Sequence, residues 1–282
     1  MKILVLGASG MIGSTIFKVL QSETEWEVFG SIRSDDIRDY FSDKLSNKLI
    51  GQVDLEHPDS LPRLFDITKP AIVINCVGLT KHKKGAEDPL VSVPLNSLLP
   101  HRLAQICKLV NARLIHISTD CVFSGKHGLY TETDLADAED IYGKSKALGE
   151  VLYPHALTIR TSTIGPELNT QYGLLNWFLS QEIECQGYTK AIFSGLPTVV
   201  LAEIIRDFVI GRPDLNGLYH VGAKPIDKYT LLKLISEVYG KSIKIIPNDQ
   251  FAIDRSLDSS KFELATGYIA PSWSELVKKM NV

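Results

Sequence analysis

Lys2-Ile3-Leu4-Val5-Leu6-Gly7-Ala8-Ser9-Gly10-Met11-Ile12-Gly13 decides the fold. A short β-rich run breaks into glycines spaced three and three, and a helical period follows from Met11. Small residues at such a turn let backbone N–H groups and the positive end of a helix approach a pyrophosphate, and the last glycine lets helix and strand pack closely. A glycine turn is also ordinary punctuation between elements. Its place on the first strand-to-helix turn of a longer series favours dinucleotide binding by Gly7, Ser9, Gly10, Met11, Ile12 and Gly13.

Working outward, the first 160 residues repeat the alternation. The pattern predicts strands at Lys2–Leu6, Trp26–Ile32, Leu49–Val53, Ala71–Asn75, Arg113–Ser118 and Ala156–Arg160. Helices are expected between them at Met11–Gln21, Ser60–Ile67, Leu90–Val110 and Asp140–Leu152. Successive crossovers of this kind build an α/β, Rossmann-like, doubly wound parallel sheet. After Arg160 the regularity ends. A helix-like run at Leu174–Glu184, a helix at Val199–Ile210, a strand at Gly217–Val221, a helix at Tyr229–Tyr239, a short strand at Ile243–Ile246 and a terminal helix from Ser272 predict a smaller C-terminal substrate-binding lobe. The expected division is 1–165 plus about 196–223 for the cofactor domain and about 166–195 plus 224–282 for the lobe, with a cleft between them.

Composition narrows the class. The 282 residues are 44% hydrophobic, and 30 Lys+Arg against 33 Asp+Glu leave a net charge of -3. That balance excludes a disordered chain and gives no global attraction for nucleic acid or an anionic membrane. No apolar stretch approaches the roughly 18–20 residues of a membrane span, and Ile3–Leu6 is too short for a signal-peptide core. Cys76, Cys107, Cys121 and Cys185 show no CxxC spacing, which points to free thiols in a cytoplasmic protein and to no metal site.

The end of the second strand reads Phe29-Gly30-Ser31-Ile32-Arg33-Ser34. An NAD-preferring site would place an acid there for the ribose hydroxyls. A guanidinium at Arg33 with a hydroxyl at Ser31 or Ser34 suits a 2′-phosphate, so NADPH is preferred and NADH left open. The competing reading has Arg33 capping a solvated strand end, with Asp35 and Asp36 slightly late for the ribose. Val53-Asp54-Leu55 and Asn75-Cys76-Val77-Gly78 close the next two strands. Asp54 is placed to meet the adenine amino group, and Gly78 lets the Cys76–Val77 backbone lie against the dinucleotide; the competing reading of either is ordinary loop punctuation.

Ser118-Thr119-Asp120 closes the fifth strand, and Tyr142-Gly143-Lys144-Ser145-Lys146 opens the next helical region. Tyr142 and Lys146 are four apart and share a helical face. A phenol so placed donates a proton to a carbonyl oxygen as a hydride arrives, and the ammonium stabilises the phenolate. A free tyrosine titrates near 10, so proton exchange near neutrality asks for a lowering of some 2–3 units, part of it from Lys146. Thr119 supplies a hydroxyl to orient the substrate oxygen.

With the glycine turn and strand-end hydroxyl, this pair resembles the extended short-chain dehydrogenase/reductase superfamily. Within it, His116-Ile117-Ser118-Thr119-Asp120-Cys121-Val122-Phe123-Ser124-Gly125, Tyr130-Thr131-Glu132 and Tyr142 to Glu150 resemble dTDP-4-dehydrorhamnose reductases and their relatives. The similarity runs on through Ile159-Arg160-Thr161, Gly195-Leu196-Pro197-Thr198, Gly217-Leu218-Tyr219-His220-Val221 and Ser256-Leu257-Asp258. The resemblance implies reduction of the C4 keto group of a nucleotide-linked 4-keto-6-deoxy sugar by NAD(P)H, in deoxysugar and polysaccharide biosynthesis, with Thr119, Tyr142 and Lys146 as the catalytic set. Cys121 stands where the family often has tyrosine, Met11-Ile12 where it often has Gln-Leu, and Ser256 where it has proline.

Other reactions weigh less. A 4,6-dehydratase needs a second acid after Thr119-Asp120, where this chain has Cys121. A sugar-nucleotide epimerase keeps its hydride on tightly held NAD, and a non-catalytic dinucleotide-binding regulatory subunit would not need the intact triad. Lys81, in the basic loop Lys81-His82-Lys83-Lys84, is a candidate for the substrate diphosphate, against a plain solvated charge run. Asp120, Trp177 and Arg255 are further substrate candidates, Trp177 by base stacking or else as core. Asn96 is expected to hydrogen-bond backbone near the catalytic strand beside the cofactor, and His116 to be a core histidine. A homodimer is compatible with the sequence.

Overall fold

The computed structural model describes residues 1–81 and 85–281. Its first part contains β1 (Lys2–Leu6), α1 (Met11–Leu20), β2 (Glu27–Ser31), α2 (Asp43–Ser46), β3 (Leu49–Ile50), α3 (Ser60–Thr68), β4 (Ile72–Asn75), α4 (Pro89–Val93), α5 (Leu99–Leu109), β5 (Arg113–Thr119), α6 (Ile141–Leu148) and β6 (Ala156–Thr161). There follow β7 (Thr163–Ile164), α7 (Leu174–Ser180), β8 (Glu184–Phe193), β9 (Leu196–Pro197), α8 (Thr198–Ile204), β10 (Gly217–His220), β11 (Ile226–Asp227), α9 (Lys228–Val238), β12 (Lys244–Asp254), α10 (Ser260–Thr266) and α11 (Trp273–Met280).

Seven strands form one parallel sheet in the order β10-β6-β5-β4-β1-β2-β3. The doubly wound expectation holds. Side chains alternate across each strand, so β1 feeds two cores. Ile3 and Val5 join the cluster of Phe17 and Leu20 on one face, while Leu4 and Leu6 join Leu61, Leu64 and Leu103 on the other. Strand order reverses between β1 and β4, and the crevice at their carboxyl ends is where such sheets take ligands. A second sheet, β11-β8-β12, is built from later residues, and β7 pairs with β9.

Several boundaries differ from the pattern. The run Leu174–Glu184 is helical only to Ser180, and Glu184 opens the strand β8. The buried positions of β8 are Cys185, Gly187, Ala191 and Phe193, mostly small, so their period of two is faint. The strand expected at Ile243–Ile246 extends as far as Asp254 despite Pro247. It lies at a sheet edge, where proline is tolerated, and its register breaks between Asn248 and Ala252. The helix expected over Leu90–Val110 is divided by a π-helical turn at Pro94–Leu98, begun by a residue with no N–H to give. The helix expected to reach Leu152 stops at Leu148, with Gly149 as its C-cap, packed against the Asn96 carbonyl where no side chain fits. The third strand ends at Ile50, leaving Asp54 and Leu55 in the following turn. Among the described residues no helix is long and apolar enough to cross a membrane.

Candidate active site

The glycine turn is built for a close approach. Gly7 takes φ +78°, in the left-handed region that favours glycine. A side chain at Gly13 would run into the Gly7 carbonyl, whereas one at Gly10 would find its nearest atom 3.5 Å away. Gly10 is the N-cap of α1, with no side-chain cap and no acid in the first turn, so the positive helix end is left open. Ser9, Met11 and Ile12 are half-buried around it.

The second-strand end departs in part from expectation. Arg33 is exposed and forms no ion pair among the described residues. The two serines are already engaged: buried Ser31 accepts from Gly7 N (3.2 Å), and Ser34 Oγ accepts from Asp36 N (3.4 Å) and donates to its carboxylate (2.9 Å). Asp35 is occupied by Arg38 Nε (2.7 Å) and Gln52 Nε2 (3.2 Å), which hold its carboxyl below the usual range. Asp54 is exposed and accepts from Glu56 N, while the Leu55 side chain is buried in the core.

The loop after β4 is tied to the catalytic strand. Buried Asn75 accepts from Val77 N (3.1 Å) and contacts His116 Nδ1 (3.0 Å), so His116 is a core histidine. Cys76 is half-buried. The π-turn turns Asn96 inward: its Oδ1 accepts from Leu79 N (2.8 Å), and its Nδ2 donates to Leu79 O (3.1 Å) and Ser145 Oγ (3.0 Å). One carboxamide thus joins this loop to α6. A side chain at Gly78 would press on Asn96 Oδ1 at 3.3 Å, with Lys146 Nζ at 3.8 Å.

Thr119 is the last residue of β5 and caps the 3-10 turn Asp120–Val122, accepting from Cys121 N (3.1 Å) and donating to Asp120 (3.1 Å). Asp140 caps α6 by accepting from Gly143 N (2.7 Å). Gly143 lies so close to the Cys121 carbonyl that no side chain fits. This contact seats Tyr142 on the strand end. Lys146, 4% exposed, donates to Ile117 O at 2.8 Å. The sheet end, α6 and the loop after β4 therefore bring Thr119, Tyr142, Lys146 and Gly78 together.

Burial dominates the electrostatics. It lowers Lys146 to about 8, opposed by the Glu150 carboxylate. It raises the Tyr142 phenol above its usual value, opposed by the Thr119 hydrogen bond. The chain's own groups thus push the phenol up, against the lowering expected from Lys146: the loss of hydration outweighs the hydroxyl's support. Burial also holds the Cys76 and Cys121 thiols neutral, at about 12 and about 11.

Arg255 reaches this strand end, donating from Nε to Phe123 O (2.8 Å) and from Nη1 to Cys121 Sγ (3.5 Å). Asp120 is buried beside it, and Lys81 is exposed; the rest of the basic loop, His82–Lys84, lies outside the described residues. Trp177 is half-buried against the main core. Among the described residues no three His, Cys, Asp or Glu side chains group as a metal site.

One residue of the site, Glu150, carries no mark in the sequence analysis. Glu150, one turn after Lys146, accepts from Ser118 Oγ (2.7 Å) and forms a bidentate pair with Arg160 (2.8 and 2.7 Å). Its helical spacing from Lys146 was the available signal.

The chain is similar to known proteins over most or all of its length. A dTDP-4-dehydrorhamnose reductase from Aggregatibacter actinomycetemcomitans is 26% identical over 234 residues, covering 79% of this chain and 74% of that one. The crystal structure of a dTDP-4-dehydrorhamnose reductase from Clostridium acetobutylicum superposes with a TM-score of 0.82 at 25% identity, covering 100% of this chain and 98% of that one. A dTDP-4-dehydrorhamnose reductase from Bacillus anthracis, solved in complex with NADP, shares the fold with a TM-score of 0.80 at 21% identity, over 99% and 98% of the two chains. The profile described as RmlD substrate binding domain matches residues 1–281, so both the glycine turn and the distant Arg255 fall within one match and the chain belongs to that family.

Proposed function

We propose that the chain reduces the C4 keto group of a nucleotide-linked 4-keto-6-deoxy sugar, with NADPH as hydride donor, in cytoplasmic synthesis of a deoxysugar for cell-surface polysaccharide. The observation that carries this is the meeting of Thr119, Tyr142 and Lys146 at one strand end beside the crevice, in a chain matched by the reductase family over residues 1–281.

The residues fit the cofactor. A tight Gly13, an open Gly10 and an uncapped helix end suit a pyrophosphate, and an exposed Arg33 with no ion pair among the described residues suits a 2′-phosphate. Asp54, Leu55, Cys76, Val77, Gly78 and Asn96 border the rest of the crevice in this reading, with Asn96 fixing the loop.

When bound, NADPH supplies the hydride. The chain's residues do the remainder: Thr119 orients the keto oxygen, Tyr142 gives it the phenolic proton, and the Lys146 ammonium stabilises the phenolate left behind. Their electrostatics favour reduction. Tyr142 stays protonated, the form an acid requires, and Lys146, at about 8, is mostly charged at neutral pH. Asp120 is placed for the sugar hydroxyls, and residues about 166–195 plus 224–282 form the lobe that covers the substrate.

The test is NADPH oxidation against a panel of 4-keto-6-deoxy nucleotide sugars, N-acetylated ones included, with product configuration read by NMR. Consumption of NADPH in step with a new C4 hydroxyl supports the reading. Tight cofactor binding with no turnover of any member overturns it.

A further inference from the structure

The strand β4 ends on a carboxamide bonded at both of its atoms. Asn75 Oδ1 accepts from Val77 N at 3.1 Å, and Asn75 Nδ2 lies 3.0 Å from Nδ1 of His116, its register partner on β5. Both side chains are 0% exposed. A backbone N–H only donates, so the Val77 bond identifies the oxygen and leaves the amide N–H pointing at the imidazole. Nδ1 of His116 is therefore the acceptor, and the ring carries its one proton on Nε2.

That proton finds no acceptor among the described residues. A buried donor without a partner costs stability, yet the same tautomer offers the only acceptor that Asn75 Nδ2 has among them. A charged ring would set a donor against a donor. Burial, and after it the Lys146 ammonium, hold the imidazole well below its usual pKa and keep it neutral.

The Val77 amide so held stands at a junction. A side chain on Gly7 would begin 3.4 Å from Val77 N and 3.0 Å from Val77 Cγ2, and one on the next residue, Gly78, would begin 3.3 Å from Asn96 Oδ1 and 3.8 Å from Lys146 Nζ. The backbone from Cys76 to Gly78 thus runs from the glycine turn to the catalytic ammonium, and the Asn75 bond fixes its first step. Without His116 the carboxamide is free to rotate and to release Val77 N.

We propose that His116 is a positioning residue for the dinucleotide: as the Nε2–H tautomer it pins Asn75, and Asn75 pins the Val77–Gly78 backbone that borders the cofactor crevice. This rests on the cofactor part of the reductase reading. The histidine acts through Asn75 and transfers no proton itself.

Two substitutions separate this role from packing. In His116→Asn the new carboxamide oxygen falls near the place of Nδ1, whereas in His116→Gln the polar end reaches the place of Nε2 and fills more of the ring's volume. By calorimetry His116→Asn is expected to bind NADPH within about threefold of wild type, and His116→Gln about tenfold more weakly or worse, the effect of one buried amide left without its acceptor. In turnover KM for NADPH follows the same order, while KM for the sugar nucleotide stays unchanged. A packing role gives the reverse order, because glutamine matches the histidine volume better; that order, or equal NADPH affinity in all three proteins, overturns the proposal.

Urea midpoints check that the variants fold, and a measurement on wild type without cofactor decides the tautomer if they do not. In ¹⁵N NMR of histidine-labelled protein, Nδ1 of His116 should read as an unprotonated acceptor and Nε2 as protonated, unchanged from about pH 8 to about pH 5, across the range where a free imidazole titrates. A protonated Nδ1, or a ring that titrates in that range, contradicts the assignment and the proposal with it. Failure of wild type to bind NADPH removes the cofactor reading and the positioning role together, whereas binding indifferent to the two substitutions removes the positioning role alone.

Discussion

The Lys146 ammonium donates its hydrogen bond to the carbonyl of Ile117, two residues before Thr119 on the same strand. The bond fixes the cation against the catalytic strand, in a place dry enough to bring its pKa to about 8. Strand and helix are thereby locked in the register that the chemistry needs.

Lys146→Met should abolish turnover while leaving the protein at least as stable at pH 7. A fall from 10.5 to about 8 means that the buried charge costs about 3 kcal/mol, at 1.36 kcal/mol per unit. Between about pH 8 and 10.5 the unfolded chain holds a proton that the native chain has released, so wild-type stability rises with pH through that window. Urea unfolding at pH 7 and 10 should show the rise in wild type and not in the variant.

Reduction should lose rate on the alkaline side near pH 8. The phenol, raised by burial, remains protonated there, so the limb reports the Lys146 ammonium. A profile of kcat/KM flat to pH 10 would contradict this assignment.

Glu150→Gln should be costly on two counts. Arg160 and Glu150 have side chains only 5% and 8% exposed, and neutralising one leaves the other charge buried and unpaired, a loss of about 3–5 kcal/mol. Glu150 also helps Lys146 keep its proton, so the alkaline limb should shift to lower pH. Denaturation and the pH profile measure the two effects separately.

Gly13→Ala should destabilise by about 1–3 kcal/mol, because its Cβ meets the Gly7 carbonyl, and should weaken NADPH. Gly10→Ala has room and should keep the fold, which thermal unfolding of the pair will compare. Arg33→Ala should raise KM for NADPH roughly tenfold or more and leave NADH unaffected; equal changes for both cofactors would remove Arg33 from the 2′-phosphate.

The parallel sheet was legible because its strands are buried on both faces and read as unbroken apolar runs, Ile3–Leu6 above all. The strand β8 was not, since its buried positions Cys185, Gly187 and Ala191 are small, Gly187 because Tyr229 and Ile245 leave no room for a side chain. β12 was hidden by Pro247-Asn248-Asp249, which reads as a turn and is an edge irregularity. At the site, local spacing marked Tyr142 and Lys146. Ser31 reads as a phosphate ligand by its place in the sequence, but its hydroxyl accepts from Gly7 N, a contact 24 residues away that no local pattern carries.

The most direct test of the central claim compares wild type with Tyr142→Phe in NADPH oxidation by a 4-keto-6-deoxy nucleotide sugar. The proton-transfer account predicts that wild type converts one keto group per NADPH, while the variant binds NADPH with unchanged affinity and turns over roughly 10²–10⁴-fold more slowly. A Tyr142→Phe protein as fast as wild type would contradict it.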